Sequence, residues 1–253
     1  MKILLTNDDG INSPGLKTLE EKLIGKHEII VVAPAEERSG SSNSLSFHGN
    51  IKIIKIDDIH YSCSGTPADC VHRTLHGIIG RFSPDIVVSG INVGPNLGTD
   101  IIYSGTAAAA RQAALMGVPG DAVTVTSHIS PIFFEKAALF VADNLETFYS
   151  NWNEHHFINI NVPSTSDILH DVMITEPARR FYEEHVGHGD FSKNGSINVT
   201  LEIKKVSHDD KYGTDCYAVD NGMISISPVL LQPLIDADTG NLYKNIFSRG
   251  SHG

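Results

Sequence analysis

The sequence predicts an α/β protein in which helices cover a parallel sheet, with a β-rich extension in the second half. Three observations carry this. Strand-like and helix-like segments alternate through residues 1–126. Several of the strands are apolar on both faces, as in EIIVVA (Glu28 to Ala33) and IVVS (Ile86 to Ser89), the pattern of strands buried between layers. The most unusual polar loops follow strand ends directly, and in such sheets ligands bind outside the carboxyl ends of the strands.

Each element has its own reason. Lys2 to Thr6 is a short aliphatic run and reads as the first strand. Asn7 to Gly15 is turn chemistry, rich in Asn, Asp, Gly and Pro. Leu16 to Leu23 spaces its apolar residues as a helix does, and Pro34 stops the strand begun at Glu28. IKIIKI (Ile51 to Ile56) mostly alternates, so it reads as a strand with one wetter face. Thr66 to Ile79 reads as a helix with Pro67 near its first turn. Thr106 to Met116 is Ala-rich and helical, and Ala122 to Thr126 returns to strand. Beyond residue 126 the pattern is less regular. FININV (Phe157 to Val162) alternates clearly, Asp190 to Ser196 is a loop, and Ser196 to Val206 and Gly222 to Ser227 look like antiparallel strands. The chain after Leu230 has weak periodicity. Without a repeat or a convincing linker, residues 1–253 read as one domain, with 1–126 as its ligand-binding half and 127–253 as a mixed extension and arm.

Composition narrows the class. With 253 residues, 41% of them hydrophobic, the chain can bury a sizeable core. Acidic residues outnumber basic ones by 30 to 19, which argues against binding a nucleic-acid polymer through its backbone. A small phosphorylated ligand stays compatible, because a local metal ion can supply positive charge. Cys63, Cys70 and Cys216 fit neither a CxxC nor a zinc pattern and read as reduced thiols. The apolar start is interrupted at Asn7-Asp8-Asp9, too early for a signal sequence, and no run approaches the ~20 apolar residues of a membrane helix. A cytoplasmic location is the expectation.

Three loops carry chemistry. Asp8 and Asp9 close the first strand, and adjacent carboxylates repel unless a cation relieves them; a capping or solvated turn explains the pair equally simply. Glu36 to Ser44 offers several hydroxyls and an amide, suited to phosphate oxygens or a metal, or to a plain polar loop. Ser89 to Asp100 packs Gly, Asn and Pro after a buried strand and leads to Ser104-Gly105-Thr106 at the start of the Ala-rich helix. There an anion is attracted by free N–H groups and the helix dipole, and capping by Ser104 or Thr106 is compatible with that. Rival motifs are absent: no GxGxxG, no GxxxxGK[ST], and no GxSxG around Ser89. A response-regulator receiver would need an Asp where Ser89 and Gly90 stand.

Taken together, NDDG (Asn7 to Gly10), Pro14-Gly15-Leu16, APAEERSGSSNSLS (Ala33 to Ser46), GTPADCV (Gly65 to Val71) and SGINVGPNLGTDIIYSGTAAAA (Ser89 to Ala110) resemble the SurE family of nucleotidases. A weaker likeness continues in FININVP, GTDCYAV and ISISPV. The resemblance implies a Rossmann-like three-layer α/β/α sandwich and one divalent metal ion, Mg²⁺ or Mn²⁺. By motif the metal ligands are Asp8, Asp9, Ser39 and Asn92, all oxygen donors. Asp8 and Asp9 are also the implied catalytic residues, and Gly40, Asn43, Asn96, Ser104, Gly105 and Thr106 the phosphate-binding ones. The implied activity is hydrolysis of nucleoside 5′- and 3′-monophosphates, and of short polyphosphate in some members. The implied assembly is a homodimer or homotetramer, with the segment after Leu230 as the exchanged arm.

The chain departs from the family pattern at Arg111-Gln112-Ala113, where Met-Glu-Gly is usual, and at Gly120-Asp121, where small apolar pairs are common. The adjacent acidic pair favours attack by an activated water over a phospho-aspartate, although either Asp is a conceivable nucleophile. A non-catalytic nucleotide or phosphate sensor on the same fold is the alternative. His155-His156 read as solvated, Asp57-Asp58 as a turn, and His185 and His188 as members of a Gly-rich loop. No spacing selects Trp152 or any tyrosine as a base-stacking residue.

Overall fold

The computed structural model describes residues 1–127, 129–165, 171–192 and 194–233. In chain order the first half forms β1 (Lys2–Thr6), α1 (Pro14–Leu23), β2 (Glu28–Pro34), β3 (Ile53–Lys55), β4 (His60–Cys63), α2 (Pro67–Leu75), β5 (Ile86–Val93), a 3-10 turn (Gly98–Ile102), α3 (Gly105–Leu115) and β6 (Gly120–Val125). The second half adds α4 (Phe134–Asn151), β7 (His156–Val162), β8 (Val172–Ile174), β9 (Arg180–His188), β10 (Val199–His208), α5 (Asp215–Asp220) and β11 (Ile224–Leu230).

Nine strands form one sheet in the order β3-β4-β2-β1-β5-β6-β7-β11-β8. Its six central strands, β4 to β7 in that order, run parallel. The edges are mixed: β3 is antiparallel to β4, and β11 is antiparallel to β7 with β8 parallel beside it. Side-chain alternation along a strand sends successive residues to opposite layers. In β1, Ile3 and Leu5 pack with Leu16, Leu19 and Leu23 of α1 and Val141 and Leu145 of α4, whereas Leu4 packs with Cys70 and Val71 of α2 and Ala109 and Ala113 of α3. The result is the three-layer α/β/α arrangement. Each fully buried Leu or Val contributes on the order of 1.5–3 kcal/mol of transfer free energy. The small residues of α3 let it lie close on the sheet: a Cβ on Gly120 would sit 2.1 Å from the Ala110 carbonyl oxygen.

The structure differs from the expectation in identifiable places. Residues 134–151 form a long helix whose buried stripe, Ala137, Ala138, Val141 and Leu145, has helical spacing but is diluted by Phe and Asn. The strand expected at 51–56 is a three-residue edge, and its partner β4 is too polar to stand out. The strands expected at 196–206 and 222–227 are present, each antiparallel to a neighbour and each in a different sheet. β10 pairs with β9 in a separate two-stranded ribbon, and β11 joins the main sheet. His185 and His188, expected in a loop, lie on β9. The three cysteines are free and buried. Among the described residues no helix is long and apolar enough to cross a membrane. The proposed arm after Leu230 lies mostly outside the described residues, which end at 233.

Candidate active site

The loops that follow β1, β2 and β5 meet at the N-terminus of α3, and backbone hydrogen bonds tie them to one another. Arg38 N donates to the Asp8 carbonyl at 2.7 Å, joining the second loop to the first. Ser42 joins the second loop to the third, with its N donating to the Tyr103 carbonyl at 3.0 Å and its Oγ to the Ile102 carbonyl at 2.8 Å. Within the first loop, Asn7 Nδ2 donates to the Gly10 carbonyl and to Ser13 Oγ, and Ser13 in turn caps α1. Gly10 takes a φ of +96°, a left-handed conformation that an L side chain would strain. In the third loop the β5–β6 register shifts between Ser89 and Asn92. Gly90, at φ +141°, would drive a Cβ to 2.4 Å from the Val123 carbonyl oxygen, so only glycine fits the irregularity that precedes Asn92.

Asp8 is buried, and its carboxylate fills the space at the start of α3. Thr106 Oγ1 donates to Asp8 Oδ1, and the backbone N–H groups of Thr106 and Gly105 lower its pKa in the same sense. Burial outweighs these bonds and holds the Asp8 pKa above the ordinary carboxylate range. The acidic group that occupies this helix N-terminus is therefore Asp8 itself. A Cβ on Gly105 would lie 2.8 Å from Asp8 Cβ and 2.8 Å from Ser41 Oγ, so this glycine is what permits the approach. Asp9 is pushed up to about 6, first by burial and then by the Asp8 charge, against a backbone hydrogen bond from Val93. Its Oδ2 is buried without a hydrogen-bond partner.

Two raised, adjacent carboxylates and an orphaned oxygen suit a hard cation, which would relieve both the repulsion and the missing bond. Among the described residues no group of three or more His, Cys, Asp or Glu is placed to hold a metal ion. A cation here would draw on two carboxylates, a hydroxyl and an amide. Asn92 is buried, with Nδ2 donating to the Gly94 carbonyl at 2.8 Å, while Ser39 is exposed and donates to Glu37 Oε1 at 2.8 Å.

A cavity of about 560 Å³ opens over this point. Asp8, Ser39, Gly40, Asn92, Asn96 and Ser104 line it. Asp9 lines a neighbouring recess of about 360 Å³, with Val93 shared between the two. Gly105 and Thr106 stand behind Asp8 and do not line the cavity. Asn43 is also outside its wall: Asn43 Nδ2 donates to Gln112 Oε1 at 3.0 Å, and its Oδ1 is buried without a partner. Asn96 is largely committed to the fold, with Nδ2 donating to Thr124 Oγ1 and its carbonyl accepting from Asn159 and Asn161. Ser104 caps α3 by accepting from Ala107 N at 3.0 Å.

Part of the wall comes from a ribbon that the sequence did not single out. Tyr182 and Glu184 of β9 and Leu201 and Ile203 of β10 close the outer side, together with Asp100 and Tyr103. Asp100 holds this ribbon in place by pairing with Arg180 and accepting from the Tyr182 hydroxyl. Asp215 fixes its base: one carboxylate oxygen accepts from Gly98 N at 2.6 Å and the other from Ala178 N at 2.9 Å and Cys216 N at 2.8 Å. RFYEEHVGH, whose histidines read as part of a Gly-rich loop, forms β9, and nothing in its sequence says which loop it covers.

The sequence profile of the family described as survival protein SurE matches residues 3–184. The 5′-nucleotidase SurE of Citrifermentans bemidjiense is 38% identical over 231 residues, covering 90% of this chain and 92% of its own. That of Rubrobacter xylanophilus is 37% identical over 244 residues, covering 91% and 92%. The crystal structure of the SurE protein from Aquifex aeolicus superposes with a TM-score of 0.83 at 34% identity, covering 98% of this chain and 100% of that one. With a profile match over most of its length, a likeness to these relatives along nine-tenths of the chain, and the same fold, this chain belongs to the SurE family.

Proposed function

We propose that the protein is a divalent-metal-dependent phosphatase that releases phosphate from nucleoside 5′- and 3′-monophosphates, with short polyphosphate as a further substrate. The observation that carries this is the Asp8–Asp9 pair, the first buried and the second half-buried with an unpartnered Oδ2, beside a cavity of nucleotide size. Its relatives named 5′-nucleotidase SurE support the reaction class.

Asp8, Asp9, Ser39 and Asn92 would hold one Mg²⁺ or Mn²⁺. When bound, the ion supplies positive charge for the phosphate and lowers the pKa of water towards neutrality. The chain's own residues do the rest. Thr106 and Gly105 fix the Asp8 carboxylate, so the phosphate end of the cavity is pre-organised. Asp9, whose Oδ2 has no hydrogen-bond partner, would hold the ion there and leave its other carboxylate oxygen to orient or deprotonate the attacking water. Gly40 and Ser104 receive the phosphate oxygens at the inner end, and Asn43 and Asn96 shape the loops around them. Phosphate monoester hydrolysis needs up to ~10²¹-fold acceleration, so alignment and charge neutralisation carry most of the effect. The assembly is read as a homodimer or homotetramer, and the three buried thiols suit a reducing compartment such as the cytoplasm.

The test is phosphate release from 5′-AMP and 3′-AMP by metal-stripped protein, with and without added Mn²⁺ or Mg²⁺. Metal-dependent release from both is expected. A folded, metal-supplied sample that binds either nucleotide and releases nothing would make the protein a sensor instead.

A further inference from the structure

The cavity has two ends of different chemistry. Asp8, Ser39, Asn92 and Ser104 make the inner end, and the ribbon makes the outer one. In the ribbon, Ile203 pairs directly with Glu184, and strand alternation puts Tyr182 with Glu184 and Leu201 with Ile203 on the face that lines the cavity. The polar groups of Tyr182 and Asp100 are already committed, since the Tyr182 hydroxyl donates to Asp100 and Arg180 pairs with the same carboxylate. Glu184 is different. It is exposed and has no ion-pair or hydrogen-bond partner among the described residues. It is a lone carboxylate on a wall otherwise built from Leu201, Ile203 and the ring of Tyr182.

An ionised carboxylate only accepts hydrogen bonds, and its two oxygens accept from a pair of neighbouring donors. In a nucleotide whose phosphate lies at the inner end, the group with two adjacent donors common to every base is the ribose 2′,3′-diol. We propose that Glu184 is a specificity-determining residue that recognises this diol, with Leu201, Ile203 and Tyr103 bordering the base. The inference rests on the nucleotidase reading above and sharpens it. A ribonucleoside 5′-monophosphate keeps both hydroxyls, a 2′-deoxynucleotide lacks one, and a 3′-monophosphate has one esterified. Glu184 therefore favours ribonucleoside 5′-monophosphates over both.

The experiment compares kcat/KM for 5′-AMP, 5′-dAMP, 3′-AMP and p-nitrophenyl phosphate in wild type, Glu184→Gln and Glu183→Gln. Glu183 lies on the opposite face of the same strand and serves as the control. Wild type and the Glu183 variant are expected to prefer 5′-AMP over 5′-dAMP, and Glu184→Gln to reduce that preference roughly tenfold, with a fall of the same sense against 3′-AMP. A wild type without preference, a ratio that Glu184→Gln leaves intact, or an equal fall on all four substrates overturns the proposal. Wild-type turnover of p-nitrophenyl phosphate with none of 5′-AMP would instead remove the nucleotidase reading on which it stands.

Discussion

The Thr106 hydroxyl donates a hydrogen bond to Oδ1 of Asp8, and both residues are buried at the start of α3. Thr106→Val keeps the shape and deletes the donor. It leaves a buried carboxylate oxygen short of one bond, so kcat/KM on 5′-AMP should fall about 10- to 100-fold. Thr106→Ser should retain most of the activity. Equal activity in the Val variant would remove this bond from the working site.

Asp9 carries an orphaned oxygen and a pKa that burial and the Asp8 charge push up to about 6. Asp9→Asn should lower kcat by roughly 10²- to 10⁴-fold, the range of a lost proton acceptor. The same variant should bind Mn²⁺ more weakly by calorimetric titration. A variant that keeps both properties would place the base elsewhere.

Gly105 is needed for space rather than for a special backbone angle. Its missing Cβ is what allows Asp8 and Ser41 to close over the helix. Gly105→Ala should leave the far-UV circular dichroism near wild type and reduce kcat/KM by about 100-fold, because the acidic pair is pushed off its position. Full activity in a folded Ala variant would show that the loop relaxes freely.

Asp121 is buried in β6 with Oδ2 unpartnered, and desolvation raises its pKa to about 8. The unfolded chain's Asp titrates near 3.8, so between those values the folded protein binds a proton that the unfolded chain has released. Stability from this residue is therefore greatest below pH 3.8 and is lost progressively as pH rises towards 8. Asp121→Asn should raise the urea midpoint more at pH 8 than at pH 5. A difference between variant and wild type that does not change with pH would contradict the assignment.

Asp215 accepts three backbone N–H groups that belong to the third loop, the ribbon's base and α5. Asp215→Ala strands these donors in a buried setting and should destabilise the protein by about 2–4 kcal/mol. Limited proteolysis should then cut the ribbon first. An unaltered urea midpoint would mean that the three donors find other acceptors.

Much of the fold was legible because buried parallel strands announce themselves. EIIVVA and IVVS are apolar on both faces, and the loops after them end in residues with few structural excuses. The acidic pair stood out as two adjacent carboxylates after a strand, but a solvated turn explained it as well until the fold placed Asp8 in a buried setting and left Asp9 Oδ2 unpartnered. What escaped was relational. Nothing in RFYEEHVGH says that Tyr182 reaches Asp100, because that contact spans about 80 residues and depends on how the ribbon docks. The likeness of Ser104-Gly105-Thr106 to a phosphate cradle was visible, but the occupant nearest those N–H groups is the protein's own Asp8, which only the folded geometry reveals. α4 was missed because its four buried residues are a thin stripe in an otherwise mixed segment.

The cavity wall is stitched from distant parts of the chain, with Asp100 bonded to Arg180 and Gly98 to Asp215. During synthesis the acidic pair and its supporting helix leave the ribosome first; Tyr182 of the outer wall follows 67 residues after Leu115, and Asp215, which fixes the ribbon's base, 100 residues after it. A nascent chain thus carries the acidic corner before it carries the wall that encloses it.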